Sequence, residues 1–212
     1  MNHPFLILGN IINKYTTIDF SDANSELSNV QLNNPYQCQE YIETILNKTG
    51  CQIAYGGYLE KRNLYNESSL FSLSDDKRDI HLGIDFWSNV NSEVLCPLKG
   101  EVHSFKDNSI VGDYGPTIIL KHGVGDSCFY TLYGHLSRKS LSGLFEGKKF
   151  EKGEVLGYLG SPEENVNYAP HLHFQVINDL QGKRGDYPGV CSSKNLEFYK
   201  KNCPDPNSIL KM

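Results

Sequence analysis

The 212-residue chain has no apolar run approaching the roughly 18 to 20 residues that a membrane-spanning helix needs. Its apolar opening stretch, residues 4–12, lacks both a basic leading segment and a small-residue cleavage site. We therefore interpret this stretch as a helix or a core segment rather than a signal peptide. On this basis the sequence predicts a cytoplasmic protein without a membrane span, and it leaves action at the cell envelope open.

The chain also lacks an excess of positive charge and lacks any C-x-x-C pair. Its formal net charge is −5 at pH 7, whereas binding to nucleic-acid phosphates requires a basic face. A zinc site made of cysteines is therefore not expected, and without an export signal we expect free structural thiols rather than disulfides. The six cysteines are Cys38, Cys51, Cys96, Cys128, Cys191 and Cys203.

The composition and residue pattern of the sequence change twice along the chain. Residues 1 to about 52 are rich in Asn, Ser and Gln, whereas residues 53–79 mix aromatic residues with turn formers and are expected to form an ordered connecting segment. Together, residues 1–79 form a predicted N-terminal cap and connecting region. One helix is predicted there, at residues 36–48, with Tyr41, Ile45 and Leu46 as its apolar stripe. Residues 80–177 have the short, alternating apolar runs and Gly/Asn/Asp turns of an all-β domain. Residues 178–212 are rich in Gly and Pro and are expected to form a C-terminal extension on the surface. The predicted strands are residues 80–87, 93–97, 100–106, 117–122, 127–136, 155–159 and 171–177.

Two of these predicted strands carry polar residues that can bind a metal. In residues 80–87, His81 and Asp85 lie on one face with only Gly83 between them, which leaves room for a ligand. In residues 171–177, His171 and His173 also share a face, and crowded histidines favour the neutral form that binds metals. Each pattern by itself is equally consistent with polar residues on the solvent face of a strand.

A third strand, residues 127–136, contains His135 within an aromatic segment. By alternation His135 shares a face with Thr131 and Tyr133, and Gly134 indicates a bend or a close approach of the backbone. A lone histidine in such a strand is more often structural than catalytic. Taken together, however, the three strands supply the His and carboxylate ligands that a mononuclear catalytic zinc site needs. Such ligands suit zinc better than manganese or iron, and the sequence leaves copper and cobalt open as well. The remaining histidines, His3, His103 and His122, have no such companions and are interpreted as structural.

The order H-x3-D, Y-G-H-L and P-H-L-H-F resembles the lysostaphin-type zinc endopeptidases, the LytM-like group of peptidase family twenty-three. The scaffold segments VLCPLKGEVHSF, DYGPTIILKHG and FEKGEVLGYLGS also resemble strands and a hairpin of that family. The resemblance covers residues 80–177, about half of the chain. The segment ENVNYAP before the last motif departs from the family's Ser/Thr-Gly-rich pattern, which concerns substrate preference more than catalysis.

The resemblance implies a mainly β fold, with an antiparallel sheet of the LytM-like, duplicated barrel-sandwich hybrid type and a partly helical N-terminal region. It implies one zinc ion per chain, held by His81, Asp85 and His173. It further implies that His135 and His171 assist the hydrolysis of peptide bonds by zinc-activated water. The expected substrate is a peptide or a peptidoglycan fragment containing Gly or D-Ala. Tyr133 and Tyr168 are candidates for the substrate groove, although a packing role suits either of them better.

Three alternatives remain at this point. A cytoplasmic amidase that acts on recycled wall peptides or other small amides fits the predicted location. A catalytically silent, zinc-binding regulatory module on the same fold is a second alternative, if the N-terminal region blocks the groove. A biotinyl- or lipoyl-type carrier domain is the third, but the chain lacks the lysine-bearing attachment motif, and a carrier needs no histidine cluster.

Overall fold

The computed structural model describes residues 7–9, 14–62 and 77–212. Parts of two predicted segments, at residues 4–12 and 53–79, therefore lie outside the described residues, as does His3. The strands are β1 Tyr15–Thr17, β2 Ile53–Gly56, β3 Ile80–His81, β4 Ile84–Trp87, β5 Glu93–Leu95, β6 Gly100–Asn108, β7 Gly115–His122, β8 Phe129–Gly134, β9 Lys149–Phe150, β10 Val155–Tyr158, β11 His171–Ile177 and β12 Val190–Cys191. The α-helices are α1 Pro35–Thr49, α2 Leu196–Asn202 and α3 Asn207–Leu210.

The main sheet of the described chain contains eight strands in the order β1-β2-β4-β11-β8-β7-β6-β9. Its neighbours pair antiparallel except β1 and β2, which are parallel. Two smaller antiparallel pairs, β5 with β10 and β3 with β12, complete the arrangement. The mainly β fold class predicted from the sequence is confirmed. No helix in the described parts of the chain is long and apolar enough to cross a membrane.

Two predicted strands differ from the observed ones at places that matter for the site. The predicted strand at residues 80–87 is two strands, because β3 pairs with β12 whereas β4 joins the main sheet. The predicted strand at residues 127–136 ends at Gly134, because His135 has a φ of +61° and turns out of the extended conformation. The prediction at residues 171–177 coincides with β11.

Helix α1 has strong signals at both ends. The Asn34 side chain accepts hydrogen bonds from the first amides, and Pro35 occupies the first turn, where no amide donor is required. Gly50 ends the helix in the left-handed conformation with a φ of +64°. Pro35, Cys38 and Ile42 are the buried residues of α1, and the three residues of the predicted stripe pack beside Cys38 and Ile42 in a partly buried position.

The regions on either side of residues 80–177 share the core of the protein. From the N-terminal side, β1 and β2 extend the main sheet beyond β4. From the C-terminal side, Tyr187 and Cys203 are fully buried against Leu82 in a second apolar cluster. The expectation that residues 178–212 form a surface extension was therefore wrong. The prediction was based on their high Gly and Pro content and did not weigh the few large apolar residues among them. These residues pack into the second apolar cluster because β12 pairs with β3.

Candidate metal centre

The fold brings the predicted site residues together from the strands β3, β4 and β11 and from His135, which follows the end of β8. His173 on β11 lies directly opposite Asp85 on β4 and, across its other edge, opposite Gly134 at the end of β8. His171 lies two residues before His173 on the same face of β11, and β3 supplies His81. Because neighbouring strands hold these positions in register, the side chains meet over one small area of the sheet.

Three ligand atoms converge at this place. His81 Nε2 lies 2.8 Å from His173 Nδ1 and 3.3 Å from Asp85 Oδ1, and His173 Nδ1 lies 3.1 Å from Asp85 Oδ1. His81 and Asp85 are each 2% exposed and His173 is 3% exposed. Among the described residues, these three form the one group of His, Cys, Asp or Glu with metal-ligand spacing.

Hydrogen bonds on the far side of each imidazole determine which nitrogen faces the centre. His81 Nδ1–H donates to the carbonyl of Gly57 at 2.9 Å, which leaves Nε2 as the acceptor. Gln175 donates its amide to the carbonyl of Pro188, so its Oε1 is free to accept from His173 Nε2–H at 2.9 Å. The lone pair of His173 Nδ1 consequently points at the centre. Such backing partners are usual for histidines that bind metals.

The donor set fits a zinc ion. Two nitrogen lone pairs and a carboxylate oxygen point at one another, an arrangement that is repulsive unless a cation or proton lies between them. Ligand atoms about a tetrahedral zinc with bonds of about 2.0–2.2 Å are separated by roughly 3.3–3.6 Å. The observed separations of 2.8–3.3 Å are close to these values. Three protein ligands also leave the fourth position that a catalytic site requires.

Gly83 provides the space for this arrangement, as its position in the sequence predicted. A Cβ atom added there would lie 2.7 Å from His173 Cε1 and 2.7 Å from the carbonyl oxygen of Phe174. No side chain larger than hydrogen can occupy this position while the histidine keeps its place.

Burial and neighbouring charges favour the protonation states of His81 and Asp85 that can bind a metal. Burial lowers the pKa of His81 to about 4, and the positive charge of Arg62 acts in the same direction. Burial alone would raise the pKa of Asp85, but His81 and Arg62 hold it well below its usual range. At neutral pH the centre therefore holds a neutral His81 imidazole and an ionised carboxylate, as metal binding requires.

Arg62 is a site residue that the sequence analysis missed. Its Nη1–H donates to Asp85 Oδ2 at 2.6 Å, and its side chain is 3% exposed. It lies in the stretch interpreted as a connecting segment, and no motif or periodicity links it to the later strands. Only the folded chain places it beside Asp85.

The second pair of histidines lies next to the ligand set. The ring centroids of His135 and His171 are 4.1 Å apart. His171 Nδ1–H donates to the carbonyl of Ala169 at 2.7 Å, and His135 Nδ1–H donates to that of Asn165 at 3.3 Å. Both Nε2 atoms can therefore accept a proton, and both rings border the cavity.

Burial also keeps this pair neutral. It lowers the pKa of His135 well below the usual range, and the neighbouring His171 and His173 add to the effect. Burial lowers the pKa of His171 as well, while Asp85 and the hydrogen bond to Ala169 oppose that shift. The neutral imidazole is the form in which a histidine acts as a general base.

The structure separates the two tyrosines that were groove candidates. Tyr133 is fully buried in the main core, where its ring packs on Phe174 at 5.3 Å, so it does not line the groove. The alternation that put it on the same face as His135 fails, because the positive φ of His135 reverses the side-chain direction. Tyr168 does border the cavity, with its ring 5.1 Å from that of His135. Tyr114, which the sequence analysis did not single out, lies 5.0 Å from the ring of His173.

A cavity of about 300 Å³ opens over the site, and all five predicted metal-binding and catalytic residues border it. Part of its wall comes from outside the predicted β domain. The N-terminal region contributes Phe20, Leu32 and Cys38, and the C-terminal loop contributes Lys183 and Asp186. The cavity thus has an apolar wall on one side and charged groups on another.

The histidines interpreted as structural have local partners away from this centre. His122 is buried, with Nδ1–H donating to the carbonyl of Lys99 at 2.8 Å and Nε2 accepting from the Thr131 hydroxyl at 2.7 Å. His103 is 5.1 Å from the ring of Tyr130 and near the surface. Neither borders the cavity.

A mainly β sheet that presents a His/Asp/His ligand set beside a histidine pair defines a protein of the metallopeptidase type. Residues 79–186, just over half of the chain, match the sequence profile of peptidase family M23. The chain belongs to this family, which confirms the resemblance seen in its motifs.

Several solved structures are similar to this chain. A zinc-containing peptidase from Vibrio cholerae has 23% identity and a TM-score of 0.39, over 46% of this chain and 27% of that one. The catalytic domain of the antimicrobial peptidase lysostaphin from Staphylococcus simulans has 22% identity and a TM-score of 0.41, over 69% and 88%. Full-length lysostaphin has 24% identity and a TM-score of 0.37, over 57% and 44%. The chain therefore spans about a quarter of the length of the first of these proteins and somewhat less than half of the last. A comparison with curated protein sequences gave no match.

Proposed function

We propose that the protein is a zinc-dependent metalloendopeptidase, with one zinc ion per chain, that hydrolyses peptide bonds in peptidoglycan-type or other Gly/D-Ala-containing peptides. The observation that carries the proposal is the convergence of His81 Nε2, His173 Nδ1 and Asp85 Oδ1 beside two buried neutral histidines in one cavity. Membership of peptidase family M23 supports it independently.

In this proposal His81, Asp85 and His173 hold the metal, and the other two histidines move and place protons. Zinc supplies a Lewis acid that polarises the peptide carbonyl and activates water. His171 accepts a proton from the attacking water at Nε2, because its Nδ1–H is committed to Ala169 and Asp85 favours its protonated form. It then returns the proton to the leaving amine. The ring centroid of His135 lies 4.1 Å from that of His171. His135 stabilises the developing oxyanion while its own Nε2 carries a proton and can donate it in a hydrogen bond.

The surroundings of the pair favour small residues beside the bond that is cut. The rings of Tyr114 and Tyr168 lie 5.8 Å and 5.1 Å from that of His135, and both tyrosines border the cavity. Gly and D-Ala fit such a space, and the family resemblance suggests the same substrates. A cytoplasmic location, as expected from the sequence, would direct the activity to recycled wall fragments or other small amides.

The test combines metal analysis with cleavage assays on cross-linked wall peptides and on oligoglycine. Asp85→Ala and His173→Ala should lose zinc and activity together. His135→Ala and His171→Ala should retain zinc and lose turnover by about 10²- to 10⁴-fold, the usual contribution of a proton-transfer group. Full activity in either of the latter variants would refute the role assigned to that histidine.

The second candidate function, a silent zinc-binding module, gains support from one observation. Phe20, Leu32 and Cys38 of the N-terminal region form part of the cavity wall. If this wall blocks the substrate, the wild-type protein should bind zinc without cleaving any test peptide, and Phe20→Ala should restore cleavage. Removing the whole N-terminal region is not a clean test, because β2 pairs with the strand that carries Asp85.

A further inference from the structure

Asp85 uses its two carboxylate oxygens for different partners. Oδ1 lies 3.1 Å from His173 Nδ1 and 3.3 Å from His81 Nε2, on the side where the metal ligands converge. Oδ2 accepts a hydrogen bond from Arg62 Nη1–H at 2.6 Å. A carboxylate free at both oxygens can bind a metal through one oxygen or through both. Here a short charge-assisted bond already holds the second oxygen.

Arg62 is itself held firmly in place. Its Nε–H donates to Glu60 Oε2 at 2.5 Å, and the other oxygen of Glu60 accepts from the backbone amide of Phe20 at 3.1 Å. The guanidinium carbon lies 5.9 Å from the ring of Phe20 and 5.7 Å from that of Trp87. Two carboxylates and two aromatic rings therefore fix the plane of the guanidinium.

Burying Arg62 and its carboxylate partners costs free energy that an arrangement serving only stability would avoid. Arg62 is 3% exposed, and burying an ion pair often stabilises a protein less than apolar residues of the same volume would. An apolar residue between Phe20 and Trp87 would pack against both rings without this cost. The charges, however, balance in a metal site: a divalent cation, a hydroxide, two carboxylates and one guanidinium sum to zero.

We infer that Arg62 is a positioning residue, which occupies one oxygen of Asp85 so that the metal receives only the other and an open coordination position remains for water and substrate. The inference rests on the proposed function, since it concerns the same metal site. It adds a role for a residue 23 positions before Asp85 in the chain, outside the segment matched by the family profile.

The probe for this role is Co²⁺ alone, bound to the metal-free full-length chain at saturating concentration. Its visible absorption is strong with four ligands and weaker with five. In Arg62→Met, Asp85 is free to bind through both oxygens, so the Co²⁺ band should lose intensity at full occupancy. Arg62→Lys, which retains a cation that can bind Oδ2, should restore the band. Peptide cleavage by the zinc form of Arg62→Met should fall about 10- to 100-fold, as is usual when the partner of a metal ligand is removed.

The matched control is Arg138→Met, because Arg138 forms an ion pair with Asp107 at 3.3 Å but is 57% exposed and does not border the cavity. Its Co²⁺ spectrum should equal that of the wild type. If Arg62→Met does not fold, the double variant Arg62→Met/Glu60→Met takes its place in the same Co²⁺ measurement. The second substitution removes the carboxylate at position 60 that would otherwise lose its Arg62 partner.

The outcomes separate this inference from the proposed function. If the wild type binds neither Co²⁺ nor Zn²⁺, the metal site itself is refuted and the role of Arg62 falls with it. If the wild type binds Co²⁺ and the variant lacking Arg62 gives the same band at full occupancy, the positioning role is refuted while the metallopeptidase proposal stands.

Discussion

Replacing Gly83 by alanine is the sharpest test of the ligand geometry. The added Cβ would lie 2.7 Å from His173 Cε1, 2.8 Å from His173 Nε2 and 2.7 Å from the carbonyl oxygen of Phe174. Ordinary contacts begin at 3.4 Å, so the overlap is about 0.7 Å. The imidazole cannot retreat easily, because its Nε2–H is bonded to Gln175 at 2.9 Å and its backbone belongs to a central strand.

We expect Gly83→Ala to reduce zinc affinity more than it reduces the stability of the fold. A displacement of about 0.7 Å exceeds the tolerance of roughly 0.2 Å in metal–ligand distances. We therefore expect Gly83→Ala to weaken zinc binding by about 100-fold or more, beyond what loss of an indirect partner usually costs. Overpacking should lower the free energy of unfolding of the metal-free protein by about 1–3 kcal/mol.

Competition titration with a chelating dye measures the zinc affinity, and urea unfolding of the metal-free protein measures stability. Gly153→Ala is the matched control: its φ of +82° makes alanine unfavourable by about 1–2 kcal/mol, but nothing lies within 4 Å of the new Cβ. It should lose stability and retain zinc affinity. Wild-type zinc affinity in Gly83→Ala would refute the geometry, and an equal loss in both variants would mean that stability, not contact with His173, controls binding.

Three further predictions concern the surroundings of the site. Gln175→Leu removes the acceptor of His173 Nε2–H, so zinc affinity should fall about 10- to 100-fold in the same titration. Burial lowers the pKa of His122 below its ordinary value of 6.5, so the unfolded chain takes up this proton more readily and stability falls as the pH drops below about 6.5. His122→Gln should make urea-derived stability less dependent on pH there, and an unchanged slope would contradict this account. Leu172→Ala removes a fully buried side chain and should cost about 2–5 kcal/mol in thermal or urea unfolding, whereas a loss below about 1 kcal/mol would show that the core is looser than described.

The local patterns of the sequence were sufficient for much of the fold and of the ligand set. Alternation along a strand fixes which side chains share a face, so H-x-H correctly placed His171 and His173 on one face of β11. The same argument does not hold for H-x3-D, because His81 and Asp85 lie on two different strands. The gap at Gly83 could also be inferred, since a missing side chain needs no tertiary information. The Asn34 cap and Gly50 mark the ends of α1 in the same local way.

Other features depend on the conformation of single residues or on contacts between distant segments. The positive φ of His135 reversed the alternation in its strand, which sent Tyr133 into the core instead of the groove. The burial of Tyr187 depends on β12 pairing with β3, about a hundred residues earlier in the chain. Composition does not record such pairings.

The sequence by itself determined that this protein is mainly β, belongs to a peptidase family and carries two histidines and an aspartate suited to zinc. Only the tertiary structure decided which imidazole nitrogens face the centre. The carbonyl of Gly57 accepts from His81 Nδ1–H, and the carbonyl of Pro188 orients the amide of Gln175, whose oxygen accepts from His173 Nε2–H. The tertiary structure also decided that Arg62 holds Asp85. The physical reason is that strand periodicity is a local property that repeats every two residues. Hydrogen bonds and charge interactions, in contrast, join any groups that the fold places within a few ångströms of each other, however far apart they are in the sequence.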